Sequence, residues 1–309
     1  FLSYLIFNPR GMFLPISVVY LAVVIIWSTT PLGIVWSSET VHPTLAVLMR
    51  MIIAIVPGVI IMKFAKIKLP FSGQALKIYS YSCIGVFGGM LFSYLSAQYL
   101  SSGLMSLIFG LSPILSGLLA QKILAEPKFS KIKILALTVA LVGLSVVCFD
   151  SISLSEDSIV GIGLILLGVF FFSLSGVMVK SVEIDIHPLA TTIGALTFSV
   201  PLFALAWFFV DGTLPYQQWQ TRSILAILYL GIFGSLVGFL AYFFILQKLR
   251  ASTVALITMM TPVFALYLGA MLNNEPVSLH LLLGALLVMC GLALYQWGGK
   301  VTLKQRKVG

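Results

Sequence analysis

Charged side chains are scarce in this 309-residue chain, at 9% of the residues, and only nine of them are acidic. A soluble domain carries about 25% charged residues, so this chain lacks the polar surface needed to cover a fold in water. Hydrophobic residues make up 60% of the chain, and the mean hydropathy is +1.11. The composition therefore predicts a protein whose main solvent is lipid.

Cysteine and histidine are also rare, with three residues of each. Cys83, Cys148 and Cys290 fall within or at the end of apolar runs, which favours buried thiols over a disulfide framework. No grouping of His, Cys and carboxylates has the spacing of a metal site. The net charge of +9 comes from short clusters between apolar runs, not from a basic domain. The sequence thus predicts no metal, no cofactor and no nucleic-acid partner.

Apolar runs of about 20 residues, the length that crosses a bilayer as a helix, recur along the whole chain. Ten candidate spans follow from them: 13–36, 43–62, 76–99, 102–123, 132–149, 160–180, 188–210, 223–246, 251–272 and 279–297. The connections between these spans are short. The pattern predicts an all-α integral membrane protein with ten transmembrane helices and no soluble domain.

Basic residues are distributed unevenly between the two sides of this ten-span topology. With the N-terminus in the cytoplasm, 16 of the 18 Lys and Arg residues fall in or beside cytoplasmic segments. An excess of positive charge is typical of the cytoplasmic side of membrane proteins. We therefore expect cytoplasmic N- and C-termini, and a location in the plasma membrane, which in bacteria is the inner membrane.

Two segments in opposite halves of the chain match without a gap. Residues 102–127 read SGLMSLIFGLSPILSGLLAQKILAEP, and residues 251–276 read ASTVALITMMTPVFALYLGAMLNNEP. The central prolines Pro113 and Pro262 align, and each segment ends in Glu-Pro. Because each half holds five spans, the second copy enters the membrane in the opposite direction from the first. The repeat predicts two inverted five-helix units, a construction found in many transporters.

The repeat also sets the expected organisation of the chain. We expect an N-terminal cytoplasmic segment (1–12), a first five-helix repeat (13–149), an external linker (150–159), a second five-helix repeat (160–297) and a basic cytoplasmic tail (298–309). Met12 is a candidate start, and residues 1–11 are then a leader or an added segment.

Several of these elements resemble the drug/metabolite transporter superfamily, and within it the EamA type. They are the polar-aromatic first span Trp27-Ser28-Thr29-Thr30-Pro31, Arg50 followed by Ala54 in the second span, and the two blocks ending in Glu-Pro. The resemblance covers essentially residues 13–297. It implies two inverted repeats around a central cavity lined by spans 1, 3, 4, 6, 8 and 9. One departure lies in the seventh span, which has Gly194-Ala195 where the second has Met49-Arg50.

Polar and aromatic side chains within the spans are the candidate substrate-binding residues. In full they are Trp27, Thr30, Arg50, Tyr94, Gln98, Phe109, Ser112, Phe172, Ser173, Tyr242, Thr258 and Thr261. A cavity of rings with a few hydroxyl groups suits an amphipathic small molecule. Rings that face lipid are the alternative interpretation, and the sequence leaves both open.

Arg50 is a charged residue deep within a span, where an unpaired charge costs about 3 kcal/mol or more. It either binds a substrate carboxylate or phosphate or ties helices together, and the sequence favours the structural role. Pro113, Pro262, Gly88 and Gly234 are candidate hinges, because proline interrupts the helix ladder and glycine lets helices approach closely. A packing role without motion also fits these four residues.

The leading hypothesis for function is a secondary transporter that moves small organic metabolites by alternating access. Amino acids or their derivatives are the expected substrates, and export is expected over import. No Asp, Glu or His lies deep in a span to relay protons, which favours facilitated diffusion or coupling through an interface carboxylate such as Glu39. A membrane-embedded lipid- or group-transfer enzyme and a non-transporting scaffold are the alternatives. Expected partners are a small-molecule substrate and the lipid bilayer, and the oligomeric state stays open.

Overall fold

Ten helices, and no β-strand, make up the parts of the chain described by the computed structural model, namely residues 15–154, 157–249, 254 and 257–305. Each helix overlaps one of the predicted spans, and seven are long and apolar enough to cross a membrane. In chain order they are α1 (Ile16–Ser37), α2 (Pro43–Phe64), α3 (Gly73–Ser96), α4 (Ser102–Ile123), α5 (Lys131–Leu154), α6 (Ser158–Lys180), α7 (Pro188–Val210), α8 (Thr221–Lys248), α9 (Ile257–Asn273) and α10 (Leu279–Gln305).

Consecutive helices run in opposite directions, so the bundle has two chemically different ends. Four even-numbered helices each carry a lysine in the last turn, and we call this the lysine end (Lys63, Lys122, Lys180 and Lys248). Cations are favourable there because the free carbonyl groups give a helix C-terminus partial negative charge. The other end holds Glu39, Arg222 and Glu275, and we call it the Glu39 end.

Histidine caps begin the second helix of each half. His42 precedes Pro43 at the start of α2, and its Nδ1 accepts a hydrogen bond from the Thr44 backbone N–H at 3.4 Å. His187 does the same for Leu189 at the start of α7, at 3.2 Å. Each imidazole therefore satisfies one of the N–H groups that a helix N-terminus leaves without an internal partner.

The Glu-Pro corners of the two repeats have the same backbone geometry. The residue before each glutamate has positive φ, which is 50° at Ala125 and 51° at Asn274. In each corner the backbone N–H of the glutamate donates a hydrogen bond to a carbonyl six residues earlier. Glu126 donates to Ala120 in α4 at 3.2 Å, and Glu275 donates to Gly269 in α9 at 3.1 Å. Sequence repetition is thus matched by repeated local structure.

The third helix of each half contains a π-helical segment, Ile84–Gly89 in α3 and Leu230–Val237 in α8. Both segments are rich in glycine, and the glycines bring neighbouring helices close. A Cβ on Gly88 would lie 2.7 Å from the Phe171 side chain, and one on Gly234 would lie 3.0 Å from the Arg50 guanidinium. Widened turns of this kind occur frequently at functional sites.

The helix α4 is broken near its middle. Its first part ends at Phe109 and its second part begins at Ser112, with Pro113 in the first turn. Proline has no N–H to donate, and this costs nothing in a first helical turn. The equivalent Pro262 instead lies inside the continuous helix α9. The two repeats therefore use the aligned proline differently.

The helices α5 and α10 pack against each other at the side of the bundle. Gly143 and Gly284 make the contact close, because a Cβ on Gly143 would lie 2.7 Å from the Gly284 carbonyl oxygen. Of the side chains that the structure describes in these two helices, none lines the central cavity described next.

Candidate functional site

A cavity lies at the centre of the bundle, between the two repeats. Most of its lining side chains are buried. They come from α1, α2, α3, α4, α6, α8 and α9, and are Trp27, Thr30, Pro31, Ile34, Arg50, Met90, Ser93, Met105, Ser106, Phe109, Ile165, Phe172, Gly234, Phe239 and Thr261.

Four aromatic side chains pack together on one side of this cavity, and we call them the ring cluster (Trp27, Phe109, Phe172 and Tyr242). The centroid of Phe172 lies 5.6 Å from Trp27, 5.8 Å from Phe109 and 5.4 Å from Tyr242. Trp27 comes before the other α1 cavity residues, and α1 runs toward the Glu39 end. The ring cluster therefore lies on the side of the cavity that faces the lysine end.

Arg50 reaches the cavity from α2 and is 1% exposed. Its Nε donates a hydrogen bond to the Ser235 hydroxyl at 2.7 Å. Its Cζ lies 5.9 Å from the centroid of the Tyr94 ring, within reach of a cation–π interaction. Among the described residues no carboxylate lies within 4 Å of this guanidinium.

The hydroxyl groups on the cavity differ in how they are satisfied. Thr30 donates to the Ile26 carbonyl at 2.9 Å, and Ser93 donates to the Gly89 carbonyl at 2.6 Å. The Ser106 hydroxyl is buried and has no hydrogen-bond partner in the described structure. Ser106 thus offers the cavity a donor and an acceptor.

A hydrogen-bonded network lies beyond the cavity, at the Glu39 end. The Glu275 carboxylate accepts from the Ser102 N–H at 3.0 Å, the Ser102 hydroxyl at 2.9 Å and the Gly103 N–H at 3.2 Å. It therefore caps the N-terminus of α4. Asn273 links this cap to α1, because its side chain donates to Glu275 at 3.2 Å and accepts from the Trp36 indole at 2.9 Å.

An ion pair joins two further elements at the Glu39 end. Arg222, at the start of α8, donates from Nε and from a terminal nitrogen to Glu39 in the α1–α2 connection, at 2.5–2.9 Å. Nearby, Thr40 donates to the Ser223 hydroxyl at 3.0 Å, and Ser223 donates to the Trp36 carbonyl at 2.8 Å. These contacts hold α1, α2 and α8 together across the two repeats.

Half of the sequence-predicted binding residues line the cavity. They are Trp27, Thr30, Arg50, Phe109, Phe172 and Thr261. Tyr242 belongs to the ring cluster, and Tyr94 lies behind Arg50, fully buried. The Ser173 hydroxyl donates to the Ser112 carbonyl at 3.4 Å, so this pair joins α6 to α4 and does not line the cavity.

Two predicted residues lie elsewhere. Gln98 is exposed in the turn after α3, because that helix ends at Ser96, three residues before the predicted end of the span. Thr258 lies in α9, and its side chain falls outside the described part of the structure. Of the predicted hinges, Gly234 lies on the cavity and Gly88 lies in the π-helical segment of α3.

Sequence reasoning missed several lining residues, of which Ser93 and Ser106 are polar. Ser106 precedes Phe109 by three positions, so both project from the same face of α4. A lone hydroxyl in the run LMSLIFG was the available signal. The apolar residues Met90, Met105 and Phe239 carried no such signal, since they resemble ordinary core residues.

Comparison with known proteins gives a consistent result. The EamA-like transporter family matches residues 14–149 and again 159–296. An uncharacterized transporter of Archaeoglobus fulgidus is 27% identical over 217 residues, which is 70% of this chain and 75% of the relative. Uncharacterized transporter YoaV of Bacillus subtilis is 24% identical over 93% of this chain and 97% of its own.

Further matches cover nearly the whole chain. Protein PagO of Salmonella typhimurium is 25% identical over 90% of this chain and 92% of its own length. A protein of known crystal structure superposes with a TM-score of 0.67, covering 91% of this chain and 96% of that one at 16% identity. This last similarity concerns the fold alone.

The chain belongs to the EamA-like transporter family, with one copy of the family sequence in each half. It is therefore a multi-pass integral membrane protein of the drug/metabolite transporter type, built from ten transmembrane helices in two inverted repeats. This result confirms the resemblance and the fold class predicted from the sequence.

Proposed function

We propose that this transporter moves amino acids or their derivatives through the central cavity by alternating access, and exports them from the cell. The observation that supports this most strongly is the position of the cavity. It lies between the two repeats, with the ring cluster on one side and the Glu39-end network on the other. A buried cavity between two inverted units is what alternating access around a fixed site requires.

The ring cluster and the Glu39-end network each join the two repeats by a small number of contacts. The ring cluster brings together Trp27 and Phe109 of the first repeat with Phe172 and Tyr242 of the second. At the Glu39 end, Glu275 of the second repeat caps α4 of the first. Rocking one repeat against the other can therefore separate one set of contacts while the other set holds.

The lining chemistry supports a small amphipathic substrate. Rings and aliphatic side chains form most of the surface, and a few polar groups, Arg50, Ser106 and Thr261 among them, can fix orientation. An amino acid derivative carries both kinds of group. One cationic side chain is too little charge for a nucleotide sugar with two phosphates, and this favours the smaller class.

The distribution of lysine supports the proposed orientation. The positive-inside rule favours the cytoplasm for the lysine end, and we propose cytoplasmic termini and a plasma-membrane location. In that orientation the Glu39 end faces outward, and an exported substrate leaves through the network of Glu39, Arg222 and Glu275.

Counterflow in proteoliposomes tests the proposal. Vesicles loaded with one unlabelled amino acid or derivative are diluted into trace label, and transient accumulation of label is measured. Thr30→Trp fills the cavity, whereas Thr138→Trp makes the same change at an exposed position on α5. We expect accumulation with the wild type and with Thr138→Trp, and none with Thr30→Trp.

Two results would contradict this account. Absence of counterflow with every amino acid and derivative would exclude these compounds as the substrates. Equal counterflow by both tryptophan variants would show that the substrate does not pass through the cavity.

A further inference from the structure

The cavity has a charge imbalance that its own side chains do not correct. Arg50 is its charged lining residue, and the other lining side chains are neutral. The carboxylates whose surroundings are described lie in connections at the ends of the bundle, as Glu39 and Glu275 do. A buried cation without a counter-ion is unfavourable in a membrane protein.

The guanidinium is only partly engaged by protein groups. Its Nε is held by Ser235, but one terminal nitrogen is buried and has no hydrogen-bond partner among the residues that the structure describes. The Tyr94 hydroxyl and the Ser106 hydroxyl nearby in the bundle are likewise buried, with no partner in the described part of the chain. Leaving a charged donor unsatisfied costs more than leaving a neutral one, so this arrangement is suited to an acceptor that arrives with the substrate.

We propose that the substrate carries a carboxylate that binds Arg50 and an apolar or aromatic body that packs on the ring cluster. This inference deepens the proposed function, because it takes the central cavity as the transport site. A carboxylate matches the planar fork of a guanidinium and neutralises one positive charge. The rings of Trp27, Phe109 and Phe172 supply the apolar surface next to it.

A monoanion fits this site better than a phosphate ester. A phosphate monoester carries close to two negative charges at neutral pH, and Arg50 supplies one positive charge among the described lining residues. An amine alone would place like charge beside the guanidinium. The selectivity expected is therefore for a carboxylate, with or without an ammonium group elsewhere in the molecule.

A matched set of four probes tests whether binding requires a carboxylate and whether an ammonium group affects it. The probes are 3-phenylpropanoate, 3-phenylpropanamide, L-phenylalanine and L-phenylalaninamide, which combine a carboxylate or an amide with or without an ammonium group. Binding to the purified full-length protein in detergent is measured by calorimetry. We expect the two carboxylates to bind and the two amides to bind about tenfold or more weakly, as the loss of a charge-assisted bidentate contact implies.

Variants of the site test the role of Arg50 directly. Arg50→Gln should abolish the preference for carboxylate over amide. Should that variant fail to fold, Gly234→Ala gives an independent test, because its Cβ would lie 3.0 Å from the guanidinium and displace it. The matched control is Gly163→Ala, where a Cβ meets nothing within 4 Å. We expect weaker carboxylate binding in Gly234→Ala and unchanged binding in Gly163→Ala.

Equal binding of carboxylates and amides, absence of binding by both carboxylates, or carboxylate preference retained in Arg50→Gln would each overturn the proposal. Carboxylates that bind through Arg50 without any counterflow would instead contradict the transport function and leave this binding site intact. Counterflow of the amide probes by the wild type would support the transport function and contradict the requirement for a carboxylate.

Discussion

Neutralising Glu275 should loosen the Glu39 end and admit reagents to the cavity from that side. The carboxylate accepts three hydrogen bonds from Ser102 and Gly103, at 2.9–3.2 Å. Glu275→Gln keeps the size of the side chain but removes its negative charge and one acceptor oxygen. The substitution destabilises the closed arrangement alone, because Glu275 must separate from the N-terminus of α4 when the Glu39 end opens.

The free-energy cost of Glu275→Gln follows from the geometry of the cap that Glu275 makes on α4. A carboxylate at a helix N-terminus contributes up to about 2 kcal/mol when it is partly buried, and hydrogen bonds to charged groups contribute about 1.5–3 kcal/mol. Glu275 is half-buried, so we take about 2 kcal/mol for the whole change. Each 1.4 kcal/mol is a factor of ten, and the open population should therefore rise about thirtyfold.

A cysteine introduced on the cavity reports this population. Ser106→Cys, in a background without the three native cysteines, places a thiol on the lining at a position that is 2% exposed in the closed structure. The labelling rate of this thiol by a membrane-impermeant maleimide added at the Glu39 side should rise about thirtyfold in Glu275→Gln. Glu183→Gln, in an exposed connection at the lysine end, is the matched control and should leave the rate unchanged.

A contradicting result would be a lower thermal midpoint in Glu275→Gln with an unchanged labelling rate of the introduced thiol. Such a result would mean that the cap stabilises α4 equally in all arrangements and takes no part in closing the cavity.

Two further predictions concern stability in detergent. Burial lowers the pKa of His187 below 6.5, so the folded protein keeps the ring neutral while the unfolded chain protonates, and stability should fall as the pH drops below about 6.5. His187→Asn keeps a cap on Leu189 without titrating, and its thermal midpoint should vary less between about pH 7.5 and about pH 5. Gly143→Ala would place a Cβ 2.7 Å from the Gly284 carbonyl oxygen and should cost about 1–3 kcal/mol, whereas Gly163→Ala should be neutral or stabilising by thermal unfolding.

Much of the fold could be predicted because its signals are local or repeated. Apolar runs give the helices directly, and the aligned blocks that end in Glu126 and Glu275 give the inverted halves. Each half also has a His-Pro pair at the start of its second helix, and the structure gives the reason, since both His42 and His187 act as caps. Trp27 and Arg50 stood out because polar and aromatic groups are unusual at the centre of an apolar span.

The rest depends on contacts between residues distant in the sequence. The Glu-Pro ending at Glu275 is visible in the sequence, but the bonds from Ser102 to Glu275 cross 173 residues and have no signature in either segment. The π-helical segments around Gly88 and Gly234 also escaped prediction, since one widened turn leaves the apolar pattern almost unchanged. The apolar pattern includes Gln98 in the span, because a frayed helix end has no sharp boundary in sequence.

The most direct test of alternating access through the central cavity is two-sided labelling of the Ser106→Cys variant in membrane vesicles of defined orientation. We predict that an impermeant maleimide reaches the introduced thiol from each face of the membrane, at rates that change in opposite directions when Glu275→Gln is added. A thiol that is reached from one face alone, whatever substitution or substrate is present, would contradict the account.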